Sequence, residues 1–193
     1  GALALALAAV AGGAAQAQEL PPRVVAPDLA TPGSELTVYL VTMGPGDAVW
    51  EKFGHNAIWV HDESADYGIA YNWGMFSFDQ PGFVPRLMKG RMLYWMAGYD
   101  IGATVNAYVQ ANRSVWAQEL NLQPAQRDSL RAFLEWNARE ENKFYLYDYF
   151  RDNCSTRVRD AIDRFSGGAL QRATKPVVTD ETFRTHTAKL TYT

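Results

Sequence analysis

Hydrophobic and polar positions divide the chain into a strand-rich first part and a helical second part. Residues 36–42 are apolar and β-branched, and a turn rich in glycine and proline ends that segment. The segments 53–61 and 67–73 predict a β-hairpin around a loop at 62–65, and residues 93–97 predict another strand. The first part of the chain is therefore expected to form a sheet.

After residue 101 the apolar spacing becomes helical. One helix is expected directly after residue 101, a second from Pro124 to about Asn142, and a third from Cys154 onward. Proline suits the first turn of a helix, which supports the predicted start of the second helix at Pro124. Residues 190–193 have the pattern of a strand interior, so we expect the natural chain to continue. Strands followed by helices predict an α+β fold.

Composition limits the class of protein. The chain has 193 residues, of which 48% are hydrophobic, with a formal net charge of −3 and a sequence pI of about 5.6. This is enough apolar mass for one globular core. We expect no nucleic-acid partner, because nucleic-acid-binding proteins carry a basic surface and a high pI.

The first residues have the character of an export signal. Residues 1–17 are predicted to be a signal peptide that is truncated at its start, with Ala15-Gln16-Ala17 as the cleavage pattern. The alternative is a retained membrane anchor. Residues 18–34 are rich in proline and predict an extended linker, and residues 35–193 predict a single domain that is cut short at its C-terminus. The protein is therefore expected in the periplasm or elsewhere in the cell envelope.

Cys154 is the one cysteine in the sequence and lies at a predicted helix start. Asp152 and Asn153 before it are both favoured N-cap residues. The partial positive charge at a helix N-terminus favours the thiolate, which is the nucleophilic form of cysteine. The alternative is a small buried apolar residue. We favour the reactive thiol, because an unpaired cysteine in an exported protein is a liability without a purpose.

A thiolate nucleophile needs a base, usually a histidine. His186 lies in a polar tail, and His61 is predicted to be a solvated residue at the hairpin end. His55 follows Gly54 at a strand start and is the candidate base; the alternative is a core histidine bonded to a carbonyl. Six strand residues separate His55 and His61 by ~20 Å, too far for one ion. The sequence therefore predicts no metal and no cofactor.

The hairpin offers a candidate for the third catalytic residue, which would orient the imidazole of His55. If residues 62–65 form the loop, His55 lies opposite Asn72, whose amide would orient the imidazole. A register shift of one residue would turn Asn72 to the other face. Asp66 and Asp79 are the alternatives.

An aromatic and methionine-rich stretch follows the hairpin between Trp73 and Met96. Core packing explains most of it. The other interpretation is an apolar groove for an acyl chain or a membrane surface, with Lys89 and Arg91 beside it for phosphate head groups.

Several segments together resemble the Lnb N-terminal periplasmic domain family, over most of residues 35–193. They are Phe53-Gly54-His55-Asn56-Ala57, Tyr71-Asn72-Trp73-Gly74, Asn112-Arg113, the block from Tyr147 to Arg157 around Asp152-Asn153-Cys154, and His186-Thr187-Ala188.

The resemblance implies a circularly permuted papain-like, NlpC-type fold, in which a small antiparallel sheet packs against helices and the nucleophilic cysteine begins a helix. It implies Cys154 as nucleophile and His55 as base, and it supports Asn72 by position. The backbone N–H of Cys154 is a natural member of an oxyanion hole. Tyr149 and Asn153 are candidates for further contacts with the oxyanion or the substrate.

Known Lnb relatives are lipoprotein N-acyltransferases, so the resemblance implies thiol-dependent acyl transfer through an acyl thioester on Cys154. A lipid acyl hydrolase or transferase uses the same chemistry. The expected partners are a lipid or lipoprotein and a membrane surface. Two alternatives are open: a periplasmic cysteine amidase or peptidase acting on cell-wall peptides, and a non-catalytic periplasmic binding module.

Overall fold

The computed structural model describes residues 31–48 and 51–191. The predicted signal peptide and most of the predicted linker lie outside these residues. The described strands are β1 (Leu36–Met43), β2 (His55–Asp62), β3 (Tyr67–Met75), β4 (Leu93–Asp100), β5 (Val115–Glu119) and β6 (Phe144–Leu146). The described helices are α1 (Phe83–Met88), α2 (Ile101–Gln110), α3 (Pro124–Asn137), α4 (Cys154–Phe165), α5 (Ala169–Thr174) and α6 (Phe183–Thr191).

The described strands form one antiparallel sheet with the order β5-β1-β2-β3-β4-β6. β1 to β4 follow one another as a meander, so consecutive strands pair directly. β5 returns to the free edge of β1, and the short β6 extends the other edge beside β4. The α+β class predicted from the sequence is confirmed, with the sheet at the centre.

Both faces of the sheet are covered. On one face, Ile58, Tyr71 and Trp73 belong to a buried cluster with α3 and α4, which contribute Leu134 and Val158. On the other face, a smaller cluster of Val41, Met43 and Ala57 packs against residues that include Tyr108 of α2. The end of β2 that carries His55 is therefore held between helices.

The β2–β3 hairpin has a register that differs from the predicted one. Asp62 pairs with Tyr67 and Ala57 pairs with Asn72, so the loop is 63–66 rather than 62–65. The Asp62 carboxylate accepts the backbone N–H groups of Ser64 and Ala65, and Asp66 takes a positive φ of 48°. Asp62 thus closes the turn as an Asx-type residue, which fixes the loop one position later.

The predicted strand at residues 190–193 is wrong as far as the structure describes it, because α6 continues to Thr191. The hydroxyl oxygen of Thr182 accepts the backbone N–H of Thr185, and the Thr182 carbonyl accepts the N–H of His186. A threonine in this position starts a helix. A window of a few residues cannot separate strand from helix periodicity at a chain end.

Candidate active site

The start of α4 places Cys154 at the first helical position. The side-chain oxygen of Asn153 accepts the backbone N–H of Thr156 at 2.9 Å, and the Thr156 hydroxyl accepts the N–H of Asn153 at 2.8 Å. This reciprocal pair is a capping box. The predicted helix start is confirmed, and it is Asn153 rather than Asp152 that caps the helix.

Asp152 has a different partner. Its two carboxylate oxygens accept Nε and an Nη of Arg157 at 2.5 and 2.8 Å, and the guanidinium lies 3.8 Å from the centre of the Tyr145 ring. A bidentate pair of this kind fixes direction as well as distance. It ties the segment before Cys154 to the second turn of α4 and to β6.

His55 is the first residue of β2, and the residue before it explains its position. Gly54 has a φ of 69°, and a Cβ there would lie 2.6 Å from the carbonyl oxygen of Met43. No side chain fits at that distance, so only glycine allows β2 to enter the sheet beside the end of β1. The predicted close approach at Gly54 is confirmed.

Gly74 is the point at which His55 and Cys154 come together. It is the extra residue of an irregularity in the β3–β4 pairing and has a φ of 104°. A Cβ built on it would lie 3.6 Å from the Cβ of Cys154 and 3.7 Å from Cε1 of His55. The bulged backbone at Gly74 therefore lies beside both functional side chains.

Gly74→Ala is expected to reduce both stability and thiol reactivity. A non-glycine residue in such a backbone conformation costs about 1–3 kcal/mol, and the relaxation would move β3 against the cysteine and the histidine. Denaturant unfolding and the rate of alkylation by iodoacetamide measure the two effects.

Gly167→Ala is the matched control. Gly167 also has a positive φ, of 69°, but a Cβ there meets nothing within 4 Å. This variant should lose stability without a change in thiol reactivity. If the two variants change the alkylation rate equally, Gly74 has no special relation to the site.

Asn72 reaches the imidazole despite the shifted register. Its Oδ1 lies 3.2 Å from Nε2 of His55, and its Nδ2 donates to the carbonyl of Ala70 at 2.9 Å. Because that carbonyl can only accept, Asn72 must turn its oxygen toward the ring, and Nε2 of His55 must carry the proton. The other nitrogen, Nδ1, is then the one available as a base. Asn72 is 4% exposed, so water does not compete for these bonds.

The pKa of the Cys154 thiol is lowered overall. Burial is the largest single influence and raises the pKa, but it is outweighed by a hydrogen bond with His55 and by the charge of its imidazole. The backbone N–H of Asn56 and the hydroxyl of Ser155 lower the pKa further. The site therefore favours the thiolate, and the charge partner of that thiolate is His55.

Four tyrosines lie close enough to Cys154 for the charge of its thiolate to affect them, and none of them was assigned as a site residue from the sequence. Burial and the negative charge of Cys154 both raise the pKa values of Tyr94, Tyr108, Tyr145 and Tyr147. These rings come from β4, α2, β6 and the segment after β6. Tyr145 and Tyr147 belong to an aromatic run before Cys154, and Tyr94 belongs to the aromatic and methionine-rich stretch between Trp73 and Met96, whereas Tyr108 had no sequence signal of its own.

Tyr108 lies parallel to the His55 ring, with centroids 6.5 Å apart and planes 8° apart. The Arg113 guanidinium lies 4.6 Å from the Tyr108 ring centre and is itself buried. Arg113 donates to the carbonyl of Gly44 at 2.9 Å and pairs with Glu51 at 3.1 Å. Arg113 thus supports the tyrosine that flanks the imidazole.

Tyr149 and Asn153 lie at the edge of the site. The Asn153 amide is engaged on both sides, since its Nδ2 donates to the Tyr149 carbonyl while its oxygen caps α4. The Tyr149 ring makes an edge contact with Phe53, with centroids 5.1 Å apart, and is 40% exposed. Their roles as oxyanion or substrate contacts stay predictions.

The other candidates lie elsewhere. Asp66 belongs to the hairpin turn near His61, and Asp79 lies in an exposed turn after β3. His61 is not a solvated residue as predicted: its side chain is 19% exposed and its Nδ1 is buried, because β2 is a central strand. His186 is bonded to Glu181 on the exposed tail.

Within the described residues, no three His, Cys, Asp or Glu side chains are grouped so that they could hold a metal ion. None of the helices in this part of the chain is long and apolar enough to cross a membrane.

Comparison with known proteins gives one match. The family model described as the Lnb N-terminal periplasmic domain matches residues 27–188. No curated protein and no solved structure matches the chain.

Proposed function

This chain belongs to the Lnb N-terminal periplasmic domain family, and from that membership and the site we propose that it performs thiol-dependent acyl transfer in the cell envelope. The family is periplasmic, so the domain acts in the periplasm. The observation that carries the proposal is the contact between a lowered-pKa thiol at a helix start and an imidazole fixed by Asn72.

In the first step, Nδ1 of His55 takes the proton of the Cys154 thiol, and the thiolate attacks the carbonyl carbon of an acyl ester. The carbonyl oxygen becomes an oxyanion, which the backbone N–H of Cys154 is placed to receive, because the first N–H groups of a helix have no acceptor within it. The ester C–O bond then breaks. The leaving alcohol takes the proton from the imidazolium, and the acyl group remains as a thioester on Cys154.

In the second step, an amine attacks the thioester carbonyl. His55 accepts a proton from the amine, the C–S bond breaks, and an amide forms while the proton returns to the Cys154 sulfur. A lipoprotein amino terminus is the acceptor that the family resemblance implies, with a glyceride ester as the donor. Water in place of the amine would give an acyl hydrolase.

A row of aromatic rings supports an acyl substrate. From Tyr147, near the sulfur, the rings of Tyr94 and Phe76 follow at centroid distances of 4.2 and 5.1 Å. Phe78 continues the row at 5.0 Å and is 60% exposed. We propose that a hydrocarbon chain lies against this row of rings, because their faces are apolar and the row ends at the exposed Phe78.

We also propose the permuted papain-like, NlpC-type placement of the fold. It is supported by a cysteine at the first position of a helix packed on an antiparallel sheet, with the histidine on a strand earlier in the chain. Asn72 beside that histidine completes the same set of residue types that such enzymes use.

The proposal is tested by incubating the protein with phospholipid vesicles or a diacylated lipopeptide and measuring the intact mass and the peptide map. An acyl adduct on Cys154 that hydroxylamine removes is the expected result. Protein in which Cys154 has been alkylated beforehand is the control and should gain no acyl adduct. If no adduct forms and the acylation of the lipopeptide does not change, acyl transfer is wrong; Cys154-dependent cleavage of muropeptides would then indicate the amidase.

A further inference from the structure

A chain of hydrogen bonds leads from β1 through β2 to the residue after the nucleophile. The Thr42 hydroxyl donates to Oδ1 of Asn56 at 3.1 Å, and the two residues are cross-strand partners in the β1–β2 pair. Nδ2 of Asn56 donates to the hydroxyl oxygen of Ser155 at 2.9 Å. The Ser155 oxygen lies 4.0 Å from the Cys154 sulfur.

The direction of these bonds decides where the Ser155 proton points. With its Oδ1 occupied by Thr42, Asn56 presents its NH₂ group to Ser155 and fills an acceptor position there. The Ser155 proton is then left to be donated to an acceptor other than Asn56, and the Cys154 sulfur at 4.0 Å is within reach. A thiolate is an acceptor, so this polarity suits the charged form of Cys154.

We propose that Thr42, Asn56 and Ser155 form a relay that directs the Ser155 hydroxyl proton to the Cys154 thiolate. Ser155 contacts the sulfur, whereas Asn56 and Thr42 are positioning residues that set the orientation of its hydroxyl. The backbone N–H of Asn56 also bonds to the sulfur, so one residue contributes in two ways. The relay rests on the part of the proposed function in which Cys154 acts as a thiolate.

The relay also gives a role to Asn56, the residue that follows His55. His55 and Asn56 are neighbours on β2 and therefore point to opposite faces of the sheet. The imidazole meets the sulfur from one side, while the Asn56 side chain reaches Ser155 on α4 from the other. Two consecutive residues thus support the same thiolate through different groups.

The experiment is the pH dependence of iodoacetamide alkylation, measured without any acyl substrate. Ser155→Ala should raise the apparent pKa of the thiol by about half a unit, which corresponds to about threefold slower alkylation below that pKa. Ser155→Thr keeps the hydroxyl and should stay close to the original profile. Ser166→Ala, directly after the far end of α4, is the control for a lost serine hydroxyl and should leave the alkylation profile unchanged.

Asn56→Asp tests the direction of the hydrogen bonds in the relay. A carboxylate has the shape of the amide but can only accept, so it would draw the Ser155 proton to itself and place a negative charge near the sulfur. The apparent pKa of the thiol should rise at least as much as in Ser155→Ala. If this variant does not fold, as judged by circular dichroism, Thr42→Val serves instead and should give a smaller rise.

The relay is wrong if Ser155→Ala leaves the profile unchanged, or if Ser155→Thr shifts it as far as alanine does. Because the assay needs no lipid, its result is separate from the acyl-transfer test. A shifted profile together with no acyl adduct would reject the proposed function alone. An adduct together with an unshifted profile would reject the relay alone.

Discussion

Replacing Cys154 with serine is expected to reduce acyl transfer by about 10³-fold or more, because a hydroxyl is a weak nucleophile at neutral pH where this thiol is not. The site stabilises a thiolate through His55 and the first turn of α4, and none of these contacts lowers the pKa of an alcohol enough to ionise it. Transfer of acyl groups from lipid to a lipopeptide amine, followed by mass spectrometry, measures the loss.

Cys154→Ala is the matched variant, since it removes the nucleophile without leaving a hydroxyl. Both variants should retain the fold, because the N-cap bonds of α4 come from Asn153 and Thr156 rather than from residue 154. If either variant transfers acyl groups at close to the original rate, the thioester mechanism is wrong whatever the thiol's reactivity.

His55→Gln is expected to slow acyl transfer by about 10²–10⁴-fold, the usual contribution of a positioned acid–base group. It should also change the pH profile of alkylation. The lowered pKa of Cys154 means that its alkylation rate stays high as the pH falls below the range of an ordinary thiol, and falls only as the pH passes through that lowered value. Without His55, burial still raises the pKa, so the midpoint should move to higher pH.

His186→Gln is the control for a lost imidazole. His186 is 72% exposed and bonded to Glu181, so its replacement should leave both acyl transfer and the alkylation profile unchanged. An equal loss in the two variants would mean that the effect is not specific to the site. An unchanged midpoint in His55→Gln would mean that the imidazole does not stabilise the thiolate.

The periodic elements of the fold were predictable, and the irregular ones were not. β1 to β4 and the starts of α2, α3 and α4 followed from apolar spacing, turn residues and caps. β5 and β6 were missed because they are short edge strands with several exposed residues, so they show little alternation. Pairing between distant segments, such as β5 with β1, has no local signal.

Asn72 contacts His55 as predicted, although the predicted hairpin register was wrong. The loop was placed one position too early, which puts the expected register two residues from the true one. Since side chains alternate with a period of two, this error left Asn72 on the same face and within reach of the imidazole. Had the predicted register been wrong by one residue, the prediction would have placed Asn72 on the opposite face of the sheet from His55.

The neighbours of the sulfur could not be read from the sequence, because they come from separate elements. Tyr108 and Tyr94 lie on α2 and β4, and only the three-dimensional packing brings them to Cys154. The bulge at Gly74 had no signal beyond a glycine after a strand.

The strand order has a consequence for how the protein reaches its native state. His55 and Asn72 lie in one hairpin of the β1–β4 meander, so short-range pairing is enough to bring them together. Cys154 joins them only when α4 packs on β2, a contact between residues about a hundred positions apart, whose loop-closure entropy is larger than that of the hairpin. The base and the amide that orients it are therefore joined by a local contact, whereas the nucleophile reaches them only through long-range packing.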